Sequence, residues 1–480
     1  MSPVDTSTDT AIRGAVDWLD ERLPVRTFWR DHVAAYAAPK NFNVWYFFGS
    51  LLLLVLVLQF VTGLFLAIHY QPNPDLAYWS VLRGIMRDSN WGWLIRYIHI
   101  AGASAFFFLV YLHMYRAILY GSYKRPRELL WLIGVATYLA LAAEAFLGYL
   151  LPWGQMSYWG SSVVVNFFTA IPHIGKPIAT WLRGGFVTGL PTLNRFFVFH
   201  VFLAPFALLA LVLVHIIALH QVGSNNPDGV EIRGNRNDSG WPRDGIPFHP
   251  YYTAKDAFGV SVFLLILSAF VFFNPDGWGL MIDKLNFTPA NVIHTPEDIH
   301  PLWFFLPFYA VLRGIPNKTY GVAAFAGVFV LLTILPLLDR NPVRSARYRS
   351  VLYKLNILAL PAAFIGLGLI ASGKATQSNM VFGLHVTEVF YATFLLLPFF
   401  NRPRSRPATL AWLVLLEASV WLIDYWMYVS NAHGWRMMLR TDWIPALYLL
   451  VVLGAALVRP SLARDAPVLP ERLTAGGLLH

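Results

Sequence analysis

Cysteine is absent from this chain of 480 residues. The polypeptide therefore cannot bind an iron–sulfur cluster through thiolates, and it lacks the C-x-x-C-H motif that attaches heme covalently. Any iron–sulfur centre that works with this protein has to come from another subunit. Without cysteine, disulfides also give no information about the redox state of the compartment.

Charged residues are scarce, at 13% of the chain, whereas hydrophobic residues make up 57%. This composition is typical of a polytopic membrane protein and not of a soluble one. The apolar runs are long enough to cross a membrane, so the sequence predicts an all-α membrane protein with about ten spans. We expect the spans near residues 46–69, 93–119, 131–150, 197–219, 257–275, 320–338, 351–371, 382–400, 408–429 and 443–458.

The net charge of +10 is concentrated in the loops between the spans. Nucleic-acid binding is therefore a poor explanation, because basic loops on one side are what the positive-inside rule expects. The loops predict a multi-pass protein in the lipids of a bacterial inner membrane, with both termini in the cytoplasm. These basic residues are Lys124, Arg125, Arg127, Arg340, Arg344, Arg347, Arg349, Arg402, Arg404 and Arg406.

Four histidines lie in two of the apolar segments. His99 and His113 are 14 positions apart, and His200 and His215 are 15 apart. On a helix these spacings correspond to about 21–22 Å, which suits two stacked hemes in a hydrocarbon layer about 30 Å thick. Two imidazoles leave no open position on heme iron, which favours electron transfer. A proton relay or packing is the alternative, but two pairs of near-equal spacing favour ligation of two b hemes.

Both histidine-bearing spans run inward from the outer side in the predicted topology. His99 and His200 are therefore expected at the outer level, and His113 and His215 at the inner level. Each heme would bridge the two helices at one depth.

Glycines repeat the spacing of the histidines. Gly49 and Gly63 are 14 positions apart in the first span, and Gly134 and Gly148 are 14 apart in the third. Small residues allow close approach, so a flat macrocycle could lie against a glycine at each level. Ordinary packing between helices is the alternative explanation.

Two arginines lie near the levels of the histidines. Arg96 precedes His99 by three positions, and Arg116 follows His113 by three. A guanidinium group there can pair with heme propionates. The alternative is a loop charge at the edge of the membrane.

At this point the sequence resembles cytochrome b of the quinol:cytochrome c oxidoreductase family over about residues 38–400. The histidine segments carry part of the resemblance. The other matching stretches are FGSLLLLVLVLQFVTGLFLAIHY, GYLLPWGQMSYWG, TLNRFFVFH, LHQVGSNNP, HPYYTAKD and FFLPFYAVLRGIPNK.

The resemblance implies a ligand set and two quinone sites. His99 and His200 would bind the low-potential heme, and His113 and His215 the high-potential heme. The quinol-oxidising site near the outer surface would be lined by Phe146, Tyr149, Gly160, Pro301, Trp303, Phe304 and Tyr309. The quinone-reducing site near the inner surface would be lined by His220, Ser224 and Asp256.

The resemblance also implies partners and a mechanism. The partners are a Rieske iron–sulfur protein and a cytochrome c-type subunit, in a dimeric complex. One electron of quinol would go to the Rieske centre, and the other would cross the membrane through both hemes to reduce quinone. Protons would leave outside and enter inside. This bifurcation comes from the family and is not visible in the residues.

The long polar stretch 221–255 is the clearest internal break in the chain. We expect an amphipathic surface segment at 1–40, which has no signal-peptide core, followed by a four-helix diheme domain at 41–245. A second domain with the outer quinol-site loop would occupy 246–400. An extension with two further spans would occupy 401–480.

The outer-site motif departs from the family pattern Pro-Glu-Trp-Tyr. This chain has Leu302 and Phe304 at the second and fourth positions. Leucine cannot take a proton, and phenylalanine has no hydroxyl. The usual proton acceptor is therefore absent.

Other groups near this loop can replace it. Glu297, Asp298 and His300 lie just before the motif, and Glu144 lies in the third span, one turn before Gly148. A carboxylate at membrane depth is a functional candidate by default, so we hypothesise that Glu144 takes over part of the proton exit. Alternatively, Glu144 hydrogen-bonds a neighbour and water carries the proton.

The spacing of 15 between His200 and His215 is the second departure. One extra residue turns a regular helix by about 100°, so both rings could not face one seam. Pro205 lies between them and favours a kink or wide turn. The sequence predicts a distortion near Pro205 or a rotated His215 ring.

The extension is the third departure, and docking of a partner subunit is our hypothesis for it. Its Glu417 and Asp424 are expected to be buried against neighbouring helices rather than to face a partner. Two other functions stay open from the sequence. One is a diheme membrane anchor that links a dehydrogenase to the quinone pool without bifurcation, and the other is a transporter with histidines in its pathway.

Overall fold

The computed structural model of the chain describes Gly14 and residues 16–30, 34–428 and 443–474. The described part is predominantly helical, as predicted. Its α-helices are Val25–Trp29, Phe47–His69, Ala77–Trp79, Gly92–Tyr120, Glu128–Leu150, Gln155–Phe168, Gly175–Arg183, Leu190–Val198, Ala204–Val222, Tyr251–Phe273, Leu306–Gly314, Lys318–Leu338, Val351–Ala371, Gln377–Leu395, Arg406–Tyr428, Trp443–Leu449 and Ala455–Val458. Three π-helical segments, Ser80–Asp88, Phe199–Leu203 and Leu450–Gly454, and the 3₁₀ turns Val44–Tyr46, Lys284–Phe287, Trp303–Phe305, Ala346–Tyr348, Leu397–Asn401 and Pro460–Ala463 complete the helical content.

Nine helices among the described residues are long and apolar enough to cross a membrane, against about ten predicted. They are numbered here as spans one to nine: Val44–His69, Gly92–Tyr120, Glu128–Leu150, Leu190–Val222, Tyr251–Phe273, Lys318–Leu338, Val351–Ala371, Gln377–Asn401 and Arg406–Tyr425. The expected tenth span is the shorter apolar helix Trp443–Val458. At about 1.5 Å per residue it is shorter than a hydrocarbon layer of about 30 Å.

The first four spans form two packed pairs. Span one packs against span two, and span three packs against span four. The glycines at 49, 63, 134 and 148 lie in spans one and three, and each faces a histidine of the partner span. Small residues thus let the two helices of each pair approach closely where the histidines lie.

The second group of spans is built around the helix Leu306–Gly314. This helix packs against spans six, seven and eight. Phenylalanine rings fill the contact: the ring centre of Phe308 is 5.4 Å from that of Phe329 and 5.5 Å from that of Phe364. The group joins the first four spans where Phe304 stacks on Phe107 of span two, with ring centres 3.8 Å apart. These contacts hold the loop before the helix against the first four spans.

A two-stranded antiparallel sheet ties the N-terminal segment to the long polar stretch. Ala37–Pro39 pairs with Gly245–Pro247. Residues 16–22 and Val25–Trp29 of the N-terminal segment are helical, and the strand at 37–39 follows them. The membrane-surface role of this segment stays a prediction.

The C-terminal extension binds its own chain. Tyr448 donates a hydrogen bond to Asn356 of span seven over 2.6 Å. Farther on, Arg472 forms an ion pair of 2.9 Å with Asp244. Asp424 is buried, as expected, and Glu417 is half-buried. Docking of a partner on the extension stays a prediction.

One end of the bundle contains a buried ion network. Lys124 and Arg349 both approach the carboxylate of Asp339, at 3.0 and 3.1 Å, and Tyr123 donates a hydrogen bond to it over 2.5 Å. Burial lowers the pKa of Lys124 to about 8, although the charge of Asp339 opposes this shift. The network joins the loop after span two to the loop after span six.

Replacing Asp339 by alanine is therefore expected to destabilise the protein strongly, because two buried cations lose their shared carboxylate. Breaking a buried pair in this way costs about 3–5 kcal/mol. The thermal midpoint of the purified protein in detergent measures the effect. Asp75→Ala, which removes an exposed carboxylate, is the control, and an equal small shift in both variants would contradict the role of the network.

Candidate functional site

His99 and His200 face each other across spans two and four, and they are called the first pair. Their ring centres are 6.3 Å apart and the ring planes are at 89°. A metal–imidazole bond is about 2.0–2.1 Å long, and with the ring centre about 1 Å behind the nitrogen, two imidazoles on one metal lie about 6 Å apart. The separation therefore fits one iron atom held between the two rings.

His113 and His215 form the second pair, one level farther along the same two spans. Their ring centres are 6.4 Å apart with an angle of 60° between the planes. The Nδ1 atom of each ring is buried without a hydrogen-bond partner among the described residues. The separation again matches two imidazoles on one metal, so this second pair also fits the ligation of iron.

A π-helical turn in span four absorbs the extra residue between His200 and His215. The turn occupies Phe199–Leu203, immediately before Pro205. A π turn holds one residue more than an α turn, and such turns are frequent at functional sites. The predicted distortion near Pro205 is thereby confirmed, and it explains how both rings reach the histidines of span two despite unequal spacing.

Hydrogen bonds to Nδ1 orient the two rings of the first pair. The Thr62 hydroxyl donates to the Leu58 carbonyl over 2.6 Å, so it accepts from His99 Nδ1 over 2.9 Å. His200 Nδ1 lies 3.0 Å from the Glu144 carbonyl oxygen and 3.0 Å from Glu144 Oε1. With Nδ1 engaged as a donor, Nε2 of each ring keeps its lone pair for a metal.

The four glycines border the histidine rings. A Cβ atom at Gly148 would lie 2.4 Å from Cε1 of His200, which no real side chain tolerates. At Gly134, Gly63 and Gly49 the distances to the nearest histidine atom are 3.2, 3.3 and 3.5 Å. The glycine ladder therefore clears space at the level of each imidazole.

Arg116 and Arg96 lie near the pairs as expected. The guanidinium of Arg116 lies over the ring of Tyr120, 5.2 Å from its centre, and its Nε atom is buried without a hydrogen-bond partner among the described residues. Arg96 is half-buried. A cationic group with an unused donor suits an anionic propionate, and this role stays a prediction for both arginines.

Gly160, Tyr149 and His300 meet at the end of the bundle nearer the first pair. A Cβ atom at Gly160 would lie 3.5 Å from Cε1 of Tyr149 and 3.8 Å from the carbonyl oxygen of His300. The Tyr149 hydroxyl accepts a hydrogen bond of 3.3 Å from Asn286. Three of the residues predicted near the outer site are thus close together.

His300 is paired with Asp283 in the same loop region. The distance from Nε2 to Oδ2 is 3.3 Å. The hydrogen bond that His300 donates to Asp283 raises the pKa of His300 above its ordinary value, although partial burial opposes this shift. The pair forms an ionisable unit beside Pro301.

The aromatic residues of the motif mainly pack. Phe304 is 1% exposed in its stack with Phe107. The Trp303 indole donates to Ser104 over 3.3 Å. Because Phe304 lies inside this stack, it helps to join the two groups of spans.

The remaining predicted outer-site residues lie in different surroundings. Tyr309 donates to the carbonyl of Ile299 over 3.2 Å. Phe146 packs edge-on against Phe196, with ring centres 5.4 Å apart. Pro301 is half-buried and Glu297 is exposed. No contact among these four brings them together, so their shared role stays a prediction.

The predicted inner-site residues divide into two places. His220 and Ser224 both contact Tyr36: the ring centres of Tyr36 and His220 are 4.9 Å apart, and the Tyr36 hydroxyl is 2.9 Å from Ser224 Oγ. Asp256 instead accepts a hydrogen bond of 2.9 Å from Ser50, next to Gly49. His220 and Ser224 thus share Tyr36 as a partner at the end of span four, and Asp256 lies beside Ser50, which follows Gly49 at the second histidine pair.

Several functional residues escaped prediction from the sequence. Thr62 was detectable in principle, since it directly precedes Gly63 and so lies at the level of His99. Tyr36, Ser50 and Asp283 gave no signal, because their partners are distant in sequence or lie in irregular loops. Only the fold brings those groups together.

These observations define a class: a multi-pass helical membrane protein whose paired histidines, cleared by glycines, fit heme iron. Two family models match the chain, "Cytochrome b/b6/petB" over residues 33–223 and "Cytochrome b(C-terminal)/b6/petD" over residues 289–392. The chain belongs to the cytochrome b family, and so to the heme-binding proteins of electron transport.

Known proteins agree with this assignment. Cytochrome b of Allochromatium vinosum is 50% identical over 80% of this chain and 95% of its own length. Cytochrome b of Rickettsia prowazekii is 45% identical over 83% of this chain and 97% of its own length. Among solved structures, a chain of "Hyperthermophilic respiratory Complex III" matches with a TM-score of 0.75 and 37% identity, over 80% of this chain and 98% of that one.

Gly148→Ala is expected to reduce heme binding at the first pair, because its methyl group would collide with the His200 ring at 2.4 Å. The heme content per protein and the reduced-minus-oxidised absorbance spectrum measure this loss. Gly366→Ala in span seven is the matched control, since its methyl group would make an ordinary contact of 3.7 Å with Val386, away from the histidine pairs. Equal heme content in the two variants would show that clearance at Gly148 is unimportant.

Proposed function

We propose that this protein is the cytochrome b subunit of a respiratory quinol:cytochrome c oxidoreductase with two b hemes. The observation that carries the proposal is the pair of opposed imidazoles at each of two levels, 6.3 and 6.4 Å apart. The likeness to a respiratory complex III chain supports the assignment to such a complex. A Rieske protein and a cytochrome c-type subunit would supply the other redox centres, since this chain has no cysteine.

The orientation in the membrane follows from the basic loops. Lys124 and Arg349 lie in the network at Asp339, and Arg127 pairs with Glu231 at 3.0 Å in the same region. Under the positive-inside rule this end of the bundle faces the cytoplasm. The first pair is then outer and the second pair inner, in an inner membrane with both termini cytoplasmic.

The chain's own residues would orient the electron path. Heme iron, when bound, accepts and passes on single electrons. Thr62 and Glu144 hold the imidazoles of the first pair through Nδ1, and the glycine ladder keeps the flat space beside each ring open. Oxidation of one quinol at the outer site releases two electrons and two protons, and reduction of quinone near Tyr36 and His220 takes up protons inside.

His300, paired with Asp283, is our candidate for receiving a proton at the outer site. It lies beside Pro301, with its carbonyl next to Gly160, whereas Leu302 has no titratable group. Neutral imidazole accepts a proton, and the neighbouring carboxylate stabilises the cation that forms. Glu144 Oε1 lies 3.0 Å from His200 Nδ1, which supports the interpretation that the side chain interacts with a neighbour. Its part in the proton exit stays a prediction.

This assignment predicts a pH dependence. His300 accepts a proton only above its pKa, which Asp283 raises, so quinol oxidation should fall as the pH drops through that value. Asp283→Asn removes the interaction that raises the pKa of His300, so the fall in quinol oxidation should move to lower pH. His300→Gln should slow quinol oxidation and abolish this fall at low pH. The charges nearest to His300 are those of Asp283 and Asp298.

Quinol-driven reduction of the b hemes, followed at a series of pH values, measures this pH dependence of quinol oxidation. Asp75→Asn, an exposed carboxylate in the loop after span one, should keep the wild-type profile. An unchanged profile in His300→Gln would remove His300 from the proton route and leave Glu144 or water as the acceptor.

Spectroscopy of the purified complex tests the function itself. We expect two b hemes per chain, and one in His215→Leu, because the second pair would lose an iron ligand. We also expect the signal of a Rieske cluster in the complex. A colourless protein would point to the transporter alternative, and two hemes without a Rieske signal would favour the diheme anchor that links a dehydrogenase to quinone.

A further inference from the structure

We propose that Glu144 is a positioning residue that holds His200 and lowers the midpoint potential of the heme at the first pair relative to that at the second. The inference rests on the proposed heme ligation and assigns the chain's own carboxylate a role toward that group. It differs from a role in proton exit, because it concerns the reduction potential and not the release of protons.

The contact between the two side chains is direct and partly buried. Glu144 Oε1 lies 3.0 Å from Nδ1 of His200, and each side chain is 17% exposed. Glu144 belongs to span three and His200 to the π-helical turn of span four, so the contact ties the distorted turn to the neighbouring helix. The wide turn and the carboxylate together set where the imidazole lies.

The surroundings of the four candidate ligands are unequal. His200 has a carboxylate at Nδ1, whereas His99 has the hydroxyl of Thr62 at 2.9 Å. The Nδ1 atoms of His113 and His215 are buried without a hydrogen-bond partner among the described residues. The first pair is therefore the one with stronger acceptors behind its rings.

This asymmetry has a chemical consequence. A carboxylate charge 3.0 Å from Nδ1 stabilises the N–H that this ring donates and makes the imidazole a more basic ligand. A more basic ligand stabilises the more highly charged ferric iron, so the midpoint potential falls. With the lower potential at the first pair, an electron moves from the first pair to the second downhill in free energy. The proposed direction of electron transfer requires this order.

The backbone carbonyl of Glu144 makes the effect of its carboxylate separable. That carbonyl also lies 3.0 Å from His200 Nδ1 and stays in place when the side chain is changed. The ring therefore keeps one acceptor, its tautomer and its iron-binding nitrogen in every variant. A substitution of Glu144 therefore removes only the side-chain carboxylate near Nδ1.

An equilibrium redox titration of the intact complex tests the proposal, with the absorbance of each heme followed separately. In Glu144→Leu we expect the equilibrium constant for reduction of the first-pair heme to rise about tenfold, which is 59 mV for a one-electron couple. Glu144→Gln, which keeps a neutral acceptor, should give a smaller rise. The second-pair heme serves as the reference within the same molecule and should not shift.

Thr137→Ala is the matched control in span three. Its hydroxyl donates to the carbonyl of Ile133 in its own helix over 2.8 Å, and neither potential should change. If Glu144→Leu does not retain its heme, Glu144→Gln decides the question by the same titration. The low-temperature electron paramagnetic resonance spectrum of the ferric protein gives a second readout, since the g-values of only one heme should move.

Unchanged potentials in both Glu144 variants, with two hemes retained, would overturn the proposal and leave the proposed function intact. Equal shifts at both hemes would also overturn it, because the Glu144 carboxylate contacts a ligand of only one heme. A wild-type protein without heme would instead overturn the proposed function. Slowed quinol oxidation with unchanged potentials would favour the proton-exit hypothesis for Glu144.

Discussion

The structure depends on four imidazoles that are held opposite one another inside an apolar bundle. An imidazole nitrogen buried without a partner costs about 1–3 kcal/mol, and a membrane interior has no water to satisfy it. Spans two and four nevertheless place these rings 6.3 and 6.4 Å apart at two levels. In the proposed ligation, iron would take Nε2 of each ring and so satisfy a nitrogen that an apolar interior otherwise leaves without a partner. The glycines and the π-helical turn are best understood as adjustments of the backbone to that requirement.

The two levels are built differently, and the difference lies outside the ligands. At the first level, the groups behind the rings are the hydroxyl of Thr62 and the carboxylate of Glu144. At the second level, His113 and His215 have no such acceptors among the described residues. Under the proposed heme ligation, the negative character behind the first pair would favour oxidised iron at that level. One helical scaffold would then hold two sites of unequal affinity for electrons.

Much of this arrangement was predictable because a helix has a fixed period. The histidine and glycine spacings, and the mismatch of 14 against 15 with Pro205 nearby, follow from counting residues, and the structure shows the predicted distortion at Phe199–Leu203. The polar partners were less accessible. The sequence predicts Glu144 at membrane depth, but the partner that its side chain meets depends on the π-helical turn of span four. Loops have no period, so the pairing of His300 with Asp283 and the sheet at Ala37–Pro39 could not be derived by counting.

The altered outer motif is consistent with a division of labour between packing and proton chemistry. Phe304 lies flat on Phe107, with ring centres 3.8 Å apart, and forms part of the contact between the two groups of spans. A hydroxyl on that ring would need a hydrogen-bond partner in a stack that is 1% exposed. Leu302 likewise adds apolar contact and no titratable group. Ionisable groups lie instead at His300 and Asp283, which are more exposed and therefore closer to water that can carry the proton away. If His300 receives the proton as proposed, proton transfer lies nearer the surface than the motif, and the motif itself is apolar.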